Sequence, residues 1–141
     1  MCRARQLVAD CKIDDCVGKE WDAIACPGGM PGAEHLRDSA PLTELLKAQV
    51  AANKVTAAVC ASPAVVFATH GLLPAKATCF PVDKFKAVVP GWEDSKAVVD
   101  GCVITSQGPG TSLQFALKIV EQLYGLPKAE ELAKGLLTTL A

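Results

Sequence analysis

Histidine and aromatic residues are scarce in this sequence: two histidines, four phenylalanines, two tryptophans and one tyrosine among 141 residues. With only His35 and His70, a histidine-rich metal centre is excluded. No two cysteines show the two-residue spacing of a zinc ribbon or a thioredoxin-like redox motif. A net excess of charge of either sign is also lacking: 14 Lys and Arg against 15 Asp and Glu give a formal net charge of −1. No basic field exists to steer the chain onto nucleic acid or an anionic membrane, and the basic residues lack the aromatic interleaving of a nucleic-acid groove. Long apolar runs are missing too, all falling far short of the ~18 residues of a membrane span. Met1-Cys2-Arg3-Ala4-Arg5 is followed by no apolar signal-peptide stretch.

Cysteine, by contrast, is plentiful. Cys2, Cys11, Cys16, Cys26, Cys60, Cys79 and Cys102 are odd in number, which points to a reducing compartment with most thiols structural. Cys26, Cys79 and Cys102 lie in or beside apolar, strand-like segments, where cysteine acts as a small buried hydrophobe.

The chain alternates strand-like and helix-like segments, the pattern of a mostly parallel sheet covered on both faces. Leu7-Val8-Ala9 and Trp21 to Cys26 read as strands, the second stopped by Pro27-Gly28-Gly29. Ser39 is the expected N-cap of a helix with Pro41 in its first turn and Leu42, Leu45, Leu46 and Val50 on one face, ending at Asn53. Val55 to Cys60 is a buried strand, and a helix follows from Ser62-Pro63 to His70-Gly71. Asp100-Gly101 predicts a two-residue hairpin between Ala97-Val98-Val99 and Cys102 to Thr105. Thr111 and Gln114 predict a capping box for a helix ending at Tyr124. A last helix from Pro127 is expected to turn Leu132, Leu136 and Leu137 inward. The chain opens almost directly on a strand-like segment, so one βαβ unit of a doubly wound sheet is expected to be missing ahead of it.

Cys60 is the candidate for chemistry. An apolar strand ends on it, and Ala61-Ser62-Pro63 then starts a helix. Small neighbours permit the sharp turn of a nucleophile elbow, which sets the sulfur over free N–H groups that favour thiolate. Pro27-Gly28-Gly29-Met30-Pro31-Gly32 ends the preceding strand at the same sheet edge, where open sheets bind ligands. Glycines there let backbone N–H groups approach a developing oxyanion. Competing sites are weaker. His70 at a helix end reads as a structural cap and His35 as an exposed structural residue. Ser106 and Ser112 have no His/Asp partnership.

Three motifs, in order, resemble the DJ-1/ThiJ/PfpI family, its DJ-1 branch and plant-like members above all. They are Cys26-Pro27-Gly28-Gly29-Met30-Pro31-Gly32-Ala33, Ala58-Val59-Cys60-Ala61-Ser62-Pro63-Ala64 and Thr105-Ser106-Gln107-Gly108-Pro109-Gly110-Thr111-Ser112. The resemblance implies an α/β, flavodoxin-like three-layer sandwich with a mostly parallel sheet, one domain over residues 1–141. It further implies that this domain is N-terminally incomplete, without the family's first strand and helix and the glutamate on that helix that partners the cysteine. Cys60 falls on the family's reactive, oxidation-prone cysteine. Gly28, Gly29 and Ala61 fall on its oxyanion- and substrate-binding loop positions.

The implied activity, once the domain is complete and the missing glutamate supplied, is a cofactor-independent, metal-free glyoxalase-type conversion of methylglyoxal to lactate, or a deglycase, in the response to oxidative and carbonyl stress. Its partners are a small 2-oxoaldehyde or an oxidant and a second copy in a homodimer, with no nucleic acid and no membrane. The alternatives are a redox sensor or chaperone-like interaction protein without turnover, or an inactive fragment. The implied location is the cytoplasm, or the chloroplast if a targeting segment precedes the chain. Two departures stand out: Phe80 occupies a position where some relatives carry histidine, and Gln107 replaces a common arginine.

Overall fold

The computed structural model describes residues 8–140. Four strands form one sheet in the order β1-β2-β4-β3: β1 Ala23–Cys26, β2 Val55–Val59, β3 Ala97–Asp100 and β4 Val103–Ser106. β1, β2 and β4 run parallel, and β3 pairs antiparallel to β4. The five helices that carry labels are α1 Gly32–Arg37, α2 Ala40–Ala51, α3 Asp83–Lys86, α4 Ser112–Tyr124 and α5 Leu126–Gly135.

Side chains on a strand alternate between faces, and here both faces are covered. Cys26, Ala58 and Val103 point to one side, where they pack with Leu42 and Leu46 of α2 and with Val66 and Phe67. Val55, Ala57 and Ile104 point to the other, against Phe115, Ile119 and Leu123 of α4. This two-sided burial explains why Val55-Thr56-Ala57-Ala58-Val59 contains no charge. The result is the three-layer α/β sandwich expected from the sequence. Because β1, β2 and β4 are parallel, the residues after Cys26, Val59 and Ser106 all emerge at one edge.

Ser39 caps α2 as expected, its side chain accepting from the Leu42 amide at 3.4 Å, and Asn53 follows the helix with φ +54°. Several local readings are corrected. Val8 and Ala9 lie outside any strand, with Val8 89% exposed; Leu7 is outside the described residues. Asp100 pairs with Val103, so the hairpin loop is Gly101-Cys102 rather than Asp100-Gly101. Gly101 has φ +60° and Cys102 does not share the left-handed region, which fits a type II′ turn with glycine first.

The capping box at α4 is absent. Thr111 Oγ1 bonds Ser106 Oγ at 2.7 Å and accepts from the Gly108 amide at 3.0 Å, while Gln114 reaches Thr138 and Thr139. A one-turn 3-10 segment, Pro109–Thr111, precedes the helix and directs the threonine back into its own loop. On α5 the buried residues are Ala129 and Ala133, and Leu137 is 96% exposed. The close approach of α5 to α4 selects small side chains, and the chain leaves the helix before the predicted leucine stripe completes. α1 was not anticipated, since its polar sequence carries no apolar periodicity.

Leu46 is fully buried between α2 and the sheet. Replacing it by alanine leaves a cavity and is expected to cost ~2–5 kcal/mol. Leu137→Ala on the exposed tail is expected to stay within about 0.5 kcal/mol of wild type. Urea denaturation midpoints at equal slope compare the two.

Candidate active site

The edge onto which β1, β2 and β4 open assembles the candidate residues. Cys60 directly follows β2 and has φ +66°, a left-handed conformation costly for any residue with a Cβ. Hydrogen bonds hold it there on both sides: its amide donates to the Ser106 carbonyl at 2.9 Å, and its carbonyl accepts from the Phe80 amide at 2.8 Å. The chain then turns into the short helical segment Pro63–Phe67, whose bonding is wider than α, with the Ala68 amide reaching the Pro63 carbonyl at 2.9 Å. Ser62 Oγ donates to the Pro27 carbonyl at 2.5 Å, tying this elbow to the glycine loop after β1.

Gly28 is required by the approach of the two segments. A Cβ on it would lie 2.9 Å from the Val59 carbonyl oxygen and 3.0 Å from Cys60 Sγ, and closer still to Cys60 Cβ. Gly29 has φ +92° with open space where its side chain would be. Among the described residues no acceptor takes up the amide of Gly29 or of Ala61. The structure therefore gathers Gly28, Gly29, Cys60 and Ala61 into one place.

Half-buried Cys60 opens on two clefts. One, of about 340 Å³, is lined by Gly29, Met30, Ala61, Phe80, Val82, Lys84 and Phe85. The other, of about 380 Å³, passes along Pro27, Gly28, Gly108, Pro109 and Ser112. Neither lining contains a carboxylate or an imidazole. Phe80 lies in the first wall, and Lys84 Nζ sits 4.9 Å from the Phe85 ring centroid. Val82, Lys84 and Phe85 were not anticipated, because Pro81 and Pro90 break every period in that stretch. Gln107 lines neither cleft and donates instead to Asp94 Oδ1 at 2.9 Å.

Of the competing candidates, Ser112 lines the second cleft with its Oγ donating to the Gly108 carbonyl at 3.4 Å, and the others hold structural positions. Ser106 Oγ is engaged by the Lys96 carbonyl at 2.6 Å and by Thr111. His70 Nε2 lies 2.8 Å from the Arg37 carbonyl oxygen and 3.3 Å from Thr43 Oγ1, a cross-helix tether, and it lines neither cleft. His35 is exposed. Burial pushes the thiols of Cys26 and Cys79 up to about 11. Among the described residues no group of three or more His, Cys, Asp or Glu is arranged to hold a metal ion, and no helix is long and apolar enough to cross a membrane.

Comparison with known proteins places these residues in context. A sequence profile described as the DJ-1/PfpI family matches residues 2–122. The chain is 46% identical over 136 residues to Protein DJ-1 homolog B of Arabidopsis thaliana, covering 96% of this chain and 31% of that protein. It is 40% identical over 136 residues to the Glutathione-independent glyoxalase DJR-1.2 of Caenorhabditis elegans, covering 95% and 72%. It thus spans about a third of the Arabidopsis relative. Among solved structures, oxidized Toxoplasma gondii DJ-1 superposes with a TM-score of 0.85 at 45% identity, covering 93% of this chain and 72% of that one. Drosophila melanogaster DJ-1beta superposes at 0.87 and 36% identity, covering 96% and 74%.

Two outcomes follow from the geometry. Under native conditions iodoacetamide is expected to label Cys60 while Cys26 and Cys79 stay protected until unfolding, as read by peptide mass mapping. The raised thiols also set an alkaline limit. The ordinary value is 9.0 and the folded value about 11. The unfolded chain thus releases these protons first, and their contribution to stability is complete below pH 9 and lost as pH rises towards 11. Unfolding free energy measured across that window is expected to fall, and to fall less steeply in Cys79→Ala.

Proposed function

This chain belongs to the DJ-1/PfpI family, and on that premise we propose that Cys60 is the nucleophile of a glyoxalase-type conversion of a small 2-oxoaldehyde to a 2-hydroxy acid. The observation that carries the reading is the left-handed cysteine at the strand end, beside two amides without acceptors and open to a cleft. The family relationship to a glutathione-independent glyoxalase of C. elegans supports it.

In the proposed reaction the Cys60 thiolate adds to the aldehyde carbon, forming a C–S bond. The carbonyl oxygen becomes an oxyanion, received by the Gly29 and Ala61 N–H groups. The proton on that carbon is then removed and returned to the neighbouring carbon through an enediolate, which leaves a thioester. Water cleaves the thioester, releasing the 2-hydroxy acid and restoring the thiol. Overall one water is added, with no external oxidant or reductant. Gly28 serves by allowing the sulfur to lie against the loop.

The proton transfer needs a general acid/base, and the described lining supplies no carboxylate or imidazole. That observation favours a second reading for the chain by itself. Oxidation of an accessible thiol to sulfenic and then sulfinic acid needs no proton shuttle, and the same amides would hold the product oxygens.

Lactate formation from methylglyoxal, followed by NMR, separates these readings. The chain alone is expected to turn over slowly, with a rate that rises with added formate acting as a diffusible base. Cys60→Ser is expected to abolish both the basal and the rescued rate, and Gly28→Ala to lower them at least tenfold. A Cys60→Ser variant as fast as wild type would end the enzymatic proposal. For the oxidative reading, limiting peroxide should add oxygen to Cys60 well before Cys26 or Cys79 by intact-protein and peptide mass spectrometry. Equal rates at the three would remove it.

A further inference from the structure

Away from Cys60, a second pair of nucleophiles stands together. Cys11 Sγ and Cys16 Sγ are 3.6 Å apart, in direct contact. Among the described residues no other two cysteines share such a contact. The local fold holds them there. Cys16 ends the 3-10 turn Ile13–Cys16, its Sγ donates to the Lys12 carbonyl at 3.6 Å, and its carbonyl accepts from Trp21 Nε1 at 3.3 Å and from the Lys19 amide at 3.3 Å. The Lys12 amide donates to Asp15 Oδ2 at 3.2 Å, which fixes the start of the turn next to Cys11. Cys11 is exposed and Cys16 half-exposed, so reagents reach both.

The two thiols are hydrogen-bonded to each other. Hydrogen bonding to Cys11 is the largest cause holding the Cys16 thiol above its ordinary range, with partial burial next and Lys19 pulling the other way. A disulfide needs an S–S distance of ~2.0 Å. The sulfurs are thus about 1.6 Å short of bonding, a gap that side-chain rotation at an exposed position can close. The same turn also lines an apolar groove of about 230 Å³. Ile13, Cys16 and Trp21 face Ala23 and Ile24 of β1 and Leu42 of α2 across it.

We propose that Cys11 and Cys16 are a redox-active dithiol, closed by a hydroperoxide to an intramolecular disulfide that clasps this turn in place. Cys11, the more exposed sulfur, attacks the peroxide as a thiolate. An S–O bond forms, the O–O bond breaks, and the alcohol leaves with the proton that Cys11 gave up. The Cys16 sulfur then attacks the Cys11 sulfenic acid. The S–S bond forms as the S–O bond breaks, and the oxygen leaves as water carrying the Cys16 proton. Two thiols and one hydroperoxide thereby give one disulfide, one alcohol and one water. The two sulfurs are oxidised by two electrons in all, and the peroxide is reduced by two. A resolving thiol already in contact diverts the first sulfenic acid from further oxidation.

Trypsin cleaves after Lys12, between the two cysteines, which makes the bond directly readable. With hydrogen peroxide below one equivalent, the full chain is expected to yield a species 2 Da lighter than the reduced chain, whatever oxygen Cys60 takes up. Its digest should contain residues 6–12 linked to residues 13–19, a species removed by dithiothreitol. Cys11→Ser and Cys16→Ser should each abolish that species, and Cys60→Ser should retain it. Phenylarsine oxide, which bridges paired thiols, should bind the reduced chain at this site and block closure. The proposal is overturned by separate oxygen addition at Cys11 and Cys16, by a disulfide between two chains at these positions, or by both thiols remaining free to alkylate after peroxide.

Discussion

A single backbone conformation organises the candidate site: the left-handed turn at Cys60, where β2 stops and a helix begins. A residue with a Cβ avoids that region at a cost of roughly 1–3 kcal/mol, so the surroundings must hold it there. The Ser106 carbonyl and the Phe80 amide grip the two sides of the residue, and Ser62 ties the turn to Pro27. Gly28 contributes by what it lacks, since any side chain there would collide with the cysteine. Three separate stretches of sequence are thereby fixed around one sulfur.

That arrangement depends in turn on the parallel sheet. Only strands running in the same direction deliver the glycine loop, the elbow and the Gln107–Thr111 loop to one edge. The loop following β4 is closed internally by Thr111 and Ser106, which leaves its glycines and Pro109 as a rigid wall rather than a source of reactive groups. The opposite wall comes from the irregular segment around Phe80 and α3. It supplies apolar surface and one cation, Lys84.

The fold also sorts the thiols by what each can do. Cys26 and Cys79 are buried among apolar atoms, and burial holds them protonated. Cys60 is presented at a cleft by backbone geometry. Cys11 and Cys16 face each other on an exposed turn at the far end of β1 from the glycine loop. Local sequence already set Cys60 at an elbow and Cys26 and Cys79 in apolar segments, whereas nothing in it brought Cys11 and Cys16 together. Their contact is decided by the fold.

Much of the framework was legible in the residues themselves. The uncharged run Val55 to Val59 could only be a strand buried on both faces, Ser39 could cap a helix, and the Cys60-Ala61-Ser62-Pro63 sequence had the small residues that an elbow needs. These are local consequences of burial, capping and steric size, which act within a few residues. What the sequence could not decide were choices set by partners distant along the chain. Thr111 abandoned its helix for Ser106, and α5 buried alanines rather than leucines because α4 lies close. The hairpin shifted by one residue to satisfy the pairing of Asp100 with Val103. The walls of the cleft and the meeting of Cys11 with Cys16 belong to the same class. Spacing and composition determined which segments would form and where a nucleophile could stand. Only the packed structure decided what each side chain would touch, because contact energies depend on neighbours that sequence order does not place.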